Sequence, residues 1–412
     1  GLIIGLILGD VKTGILMGAA IQGLYIGIVT PGLSVPADVN FATYVGIPLA
    51  MLSNLPTSEA VALSVPLSFF GVGVTYLVLA VNTLFAHWQE RLIHEGRLKT
   101  AVNVPVYGQI TTFITRFFPI LLINYFGAPY VAKISALMPV VVKTILTSFG
   151  AILPAVGFGM LLSYIIKKDF DLMYFFFGFL LTAGLKLSVV PVLLIAVFLA
   201  YLDFKYQGQK NLIGLTSTEE VPRSEPVLGP RDIRRAYTNW MCWCMSIQNM
   251  ERMQAPGLVR MLGSVMHKMY QKTEDMKALL ARHTPFFNTN PVIGIVVPGI
   301  VLGMEEEKAK GADVPDELIL NTKTALMGPL AGIGDSLLQG TYVPILLSIG
   351  LGLSKGGSVL GPLFYAVVFL GTMIPLTMWL FNLGYKSGIN AVAAILSSGL
   401  KEVITDVANI VG

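Results

Sequence analysis

Between residues 324 and 400 the chain carries only three charges, Asp335, Lys355 and Lys386. A water-facing surface cannot be built from so few. The first half holds similar runs at 61–86, 107–126, 136–166 and 172–202, each able to supply the roughly 20 residues that a bilayer crossing needs. Overall 54% of residues are hydrophobic and 13% charged, against roughly 25% charge in soluble domains. Yet glycines, prolines, acids, amides and lysines recur inside these runs. Lipid tolerates such groups only where they face protein or a water-filled path. The expectation is an all-α polytopic membrane protein that handles a polar solute, with broken and re-entrant helices and a partly amphipathic second portion.

The pattern divides the chain into 1–206, a polar joint at 207–230, and 231–412. Segments 1–30 and 41–55 are less regular and suggest broken elements. HWQERLIHEGRLKT (87–100) is polar and predicts an amphipathic surface helix, with His87 and His94 seven apart on one solvated face. The joint holds prolines and no helical apolar period. Six Lys/Arg lie between residues 205 and 235, which places the joint on the cytoplasmic side by the positive-inside rule. From 231 an amphipathic helix begins. The apolar stretch 291–304 is short for a crossing and better suits a buried or re-entrant helix. Runs 326–353, 359–383 and 389–399 return to membrane-like composition.

Several polar positions need a reason. Asp10 and Lys12 sit in GDVKTG, where the flanking glycines predict a break and Asp10 can cap the next helix. Gln22 lies among small residues that permit close helix approach. Its amide can bridge helices or donate to a sugar hydroxyl. Asp38 either caps the helix starting near Val39 or accepts solute hydroxyls. Asn54 and Glu59 flank Pro56; Glu59 is placed as a cap, and both are also candidates to bind the solute. Lys186 lies deep in an apolar run; a lysine there can snorkel or serve a site. In the second half Glu251 and Gln254 share a helix face. Lys323 opens KTALMGPLAGIGDS. Pro329, Gly332 and Gly334 then predict a broken helix, followed by Asp335, Ser336 and Gln339. Broken helices expose backbone groups, a common way to build a transport site.

Other chemistry is poorly supplied. Cys242 and Cys244 form CxC without a second ligand cluster, which reads as structural. No phosphate loop is present, no nucleophile–base–acid set emerges, and no cofactor is expected. The dispersed net charge of +4 argues against a nucleic-acid partner.

Longer motifs carry a resemblance. GLILGDVKTGILMG (5–18) and SVPADV (34–39) resemble the IIC membrane component of the mannose/fructose/sorbose-type phosphotransferase system. NMERMQAPG (249–257), FFNTNP (286–291), GMEEEKAKGADV (303–314) and KTALMGPLAGIGDS (323–336) resemble its IID component. The resemblance covers nearly the whole chain and implies IIC joined to IID. Family members often carry Glu where Gln22 stands, and a VxPD pattern where SVPAD stands. Material before Gly1 and beyond Gly412 is also expected from the family pattern. The resemblance implies uptake of a hexose or related sugar across the bacterial cytoplasmic membrane. Phosphate would come from a separate phosphohistidine-bearing IIB, itself charged by IIA and ultimately by phosphoenolpyruvate. It further implies homotrimers of IIC–IID units in lipid, a sugar site mainly in IIC, and IIB docking on the cytoplasmic side. An ion-coupled secondary transporter and a non-transport docking scaffold are the alternatives.

Overall fold

The structure, a computed structural model, describes residues 1–28, 36–137, 171–187, 227–312 and 314–388, with scattered positions between 139 and 202. Lys143, most of 136–166, the joint at 207–226 and the run 389–399 lie outside the described residues.

The chain is helical throughout its described length, apart from turns and loops. Helices α1 (Leu2–Leu8) and α2 (Val11–Leu24) fold back on one another at Gly9. Gly9 is left-handed with φ of 81°, a conformation glycine adopts without a Cβ penalty. Asp10 then accepts the Thr13 N–H at 3.0 Å and caps α2. The stem of Lys12 lies against Gly357 of the second half. Asp38 caps α3 (Val39–Leu52) through the Phe41 N–H at 2.9 Å.

Two long helices follow, α4 (Thr57–His94) and α5 (Leu98–Leu137). Segment 87–100 is therefore no separate surface helix: α4 runs into it as far as His94, the chain turns at Gly96, whose φ is 75°, and α5 begins at Leu98. The reason is packing. Leu92 and Ile93 are buried, and the buried Gln89 amide donates to the Ala101 carbonyl on α5 at 2.9 Å. Helix α6 (Asp171–Phe179) widens into a π turn at Leu180–Gly184.

The second half opens with α7 (Pro230–Trp243). Proline suits the first helical position, where no N–H is needed. Ala236, Tyr237 and Trp240 face inward, while Arg231, Arg234 and Arg235 stay at least partly exposed. Three short helices come next: α8 (Ala255–Gly263), α9 (Met266–Met269) and α10 (Thr273–Arg282). Helix α11 (Val296–Ala309) is buried from Val296 to Glu306. Helix α12 (Asp316–Gly334) passes through a π segment, Asp335–Tyr342, into α13 (Val343–Leu353). The expected break at 328–336 is thus a widened turn inside one continuous rod, since Pro329 is absorbed within α12. Helix α14 (Leu360–Ser387) closes the described part.

Among the described residues, four stretches are long and apolar enough to cross a membrane: Thr57–His94, Leu98–Val131, Asp316–Leu353 and Leu360–Ser387. Phe113, Tyr125, Val367 and Trp379 are exposed on them. Such faces suit hydrocarbon and not water. The described part is a multi-pass, all-α membrane fold.

Helices α11 and α14 meet through glycine. A Cβ on Gly299 would lie 2.3 Å from the Phe381 carbonyl oxygen, and one on Gly384 would lie 2.2 Å from that of Val296. Both obstacles are backbone and cannot rotate away. Gly384→Val is expected to lower stability by about 1–3 kcal/mol or more through overpacking. Thermal melting of the purified protein in detergent checks it; an unchanged melting temperature would contradict this contact.

Candidate functional site

A cavity of about 310 Å³ opens between the two halves. From α4 and α5 it takes Thr75, Asn82, Thr112 and Arg116. From the second half it takes Gln248, Gln254, Asn288, Thr289, Asp335 and Gln339. Val78, Leu79, Met245, Pro291 and Ala331 supply apolar surface between these polar groups.

On the first wall Arg116 is the organiser. Its Nη1 donates to Asp38 Oδ2 at 3.1 Å and its Nη2 to Thr75 Oγ1 at 2.7 Å. Thr75 in turn donates to Asp38 Oδ2 at 2.8 Å. The other Asp38 oxygen is the α3 cap. Asp38 thus stands behind the wall with both oxygens occupied, while Arg116 itself lines the cavity. Gly71 makes this geometry possible: a Cβ there would lie 2.8 Å from Asp38 Cβ and 2.4 Å from Phe41 Cβ. Higher on α4, Asn82 donates to the Gln248 carbonyl at 3.0 Å and so crosses to the second half.

On the opposite wall Gln254 acts through backbone. Its Nε2 donates to the Thr289 carbonyl at 2.7 Å, and its Oε1 accepts the Thr289 N–H at 3.2 Å. This clamp holds Asn288 and Thr289 at the cavity. The Thr289 hydroxyl is buried without a hydrogen-bond partner. Asn290 donates to Asp335 Oδ1 at 2.9 Å. Asp335 and Gln339 lie on the π segment, and a widened turn re-aims side chains relative to an α-helix. A guanidinium on one wall and a carboxylate on the other, with amides and hydroxyls between, suit a neutral polyhydroxylated ligand.

The remaining sequence-predicted residues lie elsewhere. Gln22 is half-buried in α2. Asn54 is exposed in the α3–α4 turn with φ of 53°. Glu59 sits in the first turn of α4. Lys186 is exposed after the α6 π turn, also with φ of 53°. None of these four lines the cavity. Glu251 is partly exposed and meets His87 at 2.7 Å. Gly334 presses on Asn290, to whose Cβ a Cβ of its own would come within 2.3 Å. Its closest neighbour is thus in the second half, while Asp335 beside it faces the cavity. Lys323 is buried, its Nζ without a hydrogen-bond partner and 5.9 Å from the Phe287 ring centre.

The halves are fastened beside the cavity. Arg252 Nε donates to Glu90 Oε1 at 2.6 Å, and this carboxylate holds the arginine's proton more tightly than usual. Arg260 donates to the Val102 carbonyl and to Asn103 Oδ1, both at 2.9 Å, and stacks over Trp243.

Sequence reasoning missed Arg116, although a signal existed: it is the single charge between Lys99 and Lys133. The acidic run at the end of α11 is visible in GMEEEKAKGADV, but sequence reasoning gave its acids no role. Glu305, fully buried, meets His283 Nε2 at 2.8 Å and Arg282 Nε at 3.4 Å. Glu306 accepts the Leu228 N–H at 2.9 Å and the Tyr385 hydroxyl. Burial pushes the Cys244 thiol up to about 12, far from a reactive thiolate.

Residues 227–412 match the family described as "PTS system mannose/fructose/sorbose family IID component", and residues 1–202 match "PTS system sorbose-specific iic component". The chain belongs to the mannose/fructose/sorbose family of phosphotransferase-system membrane components. The first wall of the cavity falls in the IIC match and the opposite wall in the IID match. Over 165 residues the chain is 35% identical to the mannose-specific EIID component of Escherichia coli (strain K12), covering 40% of this chain and 58% of that protein. It is 37% identical over 164 residues to the sorbose-specific EIID component of Lacticaseibacillus casei, again 40% of this chain and 58% of that protein. The chain therefore spans little more than half the length of these IID relatives. The mannose-specific EIIC component of Escherichia coli (strain K12) is 22% identical over 212 residues, 51% of this chain and 79% of that protein. A solved complex of the mannose transporter ManYZ with microcin E492 contains a chain that is 33% identical. It covers 46% of this chain and 68% of that one, with a TM-score of 0.39.

Proposed function

We propose that this chain is the membrane permease of a phosphoenolpyruvate-dependent sugar phosphotransferase system. It carries a hexose or related sugar across the bacterial cytoplasmic membrane. IIC occupies 1–206, a cytoplasmic joint 207–230, and IID 231–412. The observation that carries the reading is the polar cavity, whose two walls fall in the two family matches. Arg116 donates to sugar oxygens and Asp335 accepts sugar hydroxyls. Asp38 serves the site through Arg116, and Gln254 through Thr289. Asn82, Gln248, Asn288 and Gln339 supply further hydrogen bonds at the edges.

The chain itself carries no phosphoryl group. The phosphoryl group resides on a histidine of a separate IIB, supplied by IIA, and IIB docks on the cytoplasmic side. Family resemblance further implies a trimer of IIC–IID units. The exposed apolar faces of α4, α5 and α14 meet neighbouring copies or lipid.

Vesicles holding the full protein are expected to accumulate sugar phosphate only when IIA, IIB and phosphoenolpyruvate are present. Accumulation of unmodified sugar under an ion gradient, without IIB, would establish a secondary transporter instead. Equal uptake by the parent and by Arg116→Met would remove the cavity from the transport path.

A further inference from the structure

We infer that Asn290 is a positioning residue that sets the hydrogen-bond polarity of the cavity's acidic wall. It occupies one oxygen of Asp335 and thereby leaves the other to accept from the ligand. The inference rests on the reading of the cavity as the sugar site.

Asn290 is buried, at 1% exposure. Its Oδ1 accepts two backbone N–H groups, from Val292 at 3.0 Å and Ile293 at 2.9 Å. Those donors fix which end of the amide is oxygen, because an amide nitrogen there would face two hydrogens. The Nδ2 end must then point the other way, and it meets Asp335 Oδ1 at 2.9 Å. An NH₂ group can only donate. The Asp335 oxygen it touches must therefore accept. The contact is held at close range because Gly334 has no side chain to separate the helix from Asn290. Asp335 then opens the π segment. One backbone cap thus fixes one amide, and the amide fixes one carboxylate. The chain of constraint ends at the cavity wall.

This arrangement makes a prediction that a purely structural asparagine would not. In Asp335→Asn the new amide must turn its oxygen to Asn290, since two NH₂ groups cannot pair. A donor then faces the cavity where an acceptor stood. In Asn290→Asp the cap survives, because a carboxylate also accepts from both N–H groups, but two carboxylates now face one another. In the double variant, Asn290→Asp with Asp335→Asn, the polarity is restored. The carboxylate introduced at position 290 accepts from the amide introduced at position 335, whose oxygen again faces the cavity.

The test uses the full chain in vesicles with IIA, IIB and phosphoenolpyruvate. The probe is whichever of radiolabelled mannose, fructose and sorbose the parent takes best. Each single variant is expected to raise the half-saturating sugar concentration about tenfold, the usual effect of one lost charge-assisted hydrogen bond. The rate at saturation should change less. The double variant is expected to be better than Asp335→Asn alone by about threefold or more, a coupling that independent sites do not show. A double variant no better than Asp335→Asn overturns the role of Asn290 while leaving the sugar site in place. An unchanged half-saturating concentration in Asp335→Asn overturns the sugar site itself, and the inference with it. Should the double variant fail to reach the membrane, Asn290→Asp alone decides. A raised half-saturating concentration with normal melting supports the inference, and an unchanged one overturns it.

Discussion

Arg116→Met is expected to reduce sugar uptake about thirtyfold to a hundredfold, close to loss of function in a standard assay. The guanidinium neutralises Asp38, whose side chain is 5% exposed. Removing one partner of a buried ion pair costs about 3–5 kcal/mol because the other charge is left uncompensated. Arg116 is itself 31% exposed, so water reaches the pair and about 2–3 kcal/mol is the better figure. The loss falls on the wall itself, since Thr75 and the α3 cap share the same carboxylate. Arg116→Lys keeps the charge without the fork and cannot hold Asp38 and Thr75 in the same way. It should recover only part of the activity. Uptake must be scored beside the amount of folded protein in the membrane. Normal uptake by a well-inserted Arg116→Met would refute the assignment.

Glu305→Leu is expected to be strongly destabilising. It strips a fully buried acceptor from Arg282 and His283. Arg282 retains Asp316 as a second partner, which brings the cost to about 3 kcal/mol, the low end for a broken buried pair. A thermal melt in detergent reads it directly. His283 adds a pH dependence. Burial pushes this histidine below its ordinary 6.5, outweighing the opposing pull of its Glu305 hydrogen bond. The unfolded chain takes up a proton there as pH falls past 6.5, while the buried ring waits for lower pH. The unfolded state therefore binds more protons in that window, and stability falls as pH drops below 6.5. His283→Gln should flatten this part of the profile. A profile equally steep in the variant would show that other groups cause it.

The architecture is legible because bilayer solvation is a coarse filter. Twenty apolar residues in a row announce themselves, and so the long helices can be placed from sequence. Composition misplaces the end of α4 for a related reason. HWQERLIHEGRLKT looks polar, but Leu92, Ile93 and Gln89 are buried and α5 returns along the same side. Composition does not say which face a neighbour will cover. The cavity is only half visible in the sequence. Gln254, Asp335 and Gln339 stand out on broken or polar segments and they line it. Arg116 is hidden among phenylalanines, and its meaning depends on Asp38, which is 78 positions away. Gln22, Asn54, Glu59 and Lys186 look alike as isolated polar groups in an apolar sequence. Nothing in one chain distinguishes a polar group that caps or turns a helix from one that faces a ligand. That distinction is set by tertiary neighbours.

A cavity shared between two walls is complete only when both are supplied in equal numbers. Where the walls are separate polypeptides, any imbalance in synthesis leaves half-sites in the membrane. Those half-sites would expose Arg116 or Asp335 without the opposing surface. Carrying both walls on one chain makes the ratio one to one by construction. It also makes every translated copy carry its own partner at high local concentration. Gene dosage then scales the number of whole sites, and never the proportion of incomplete ones.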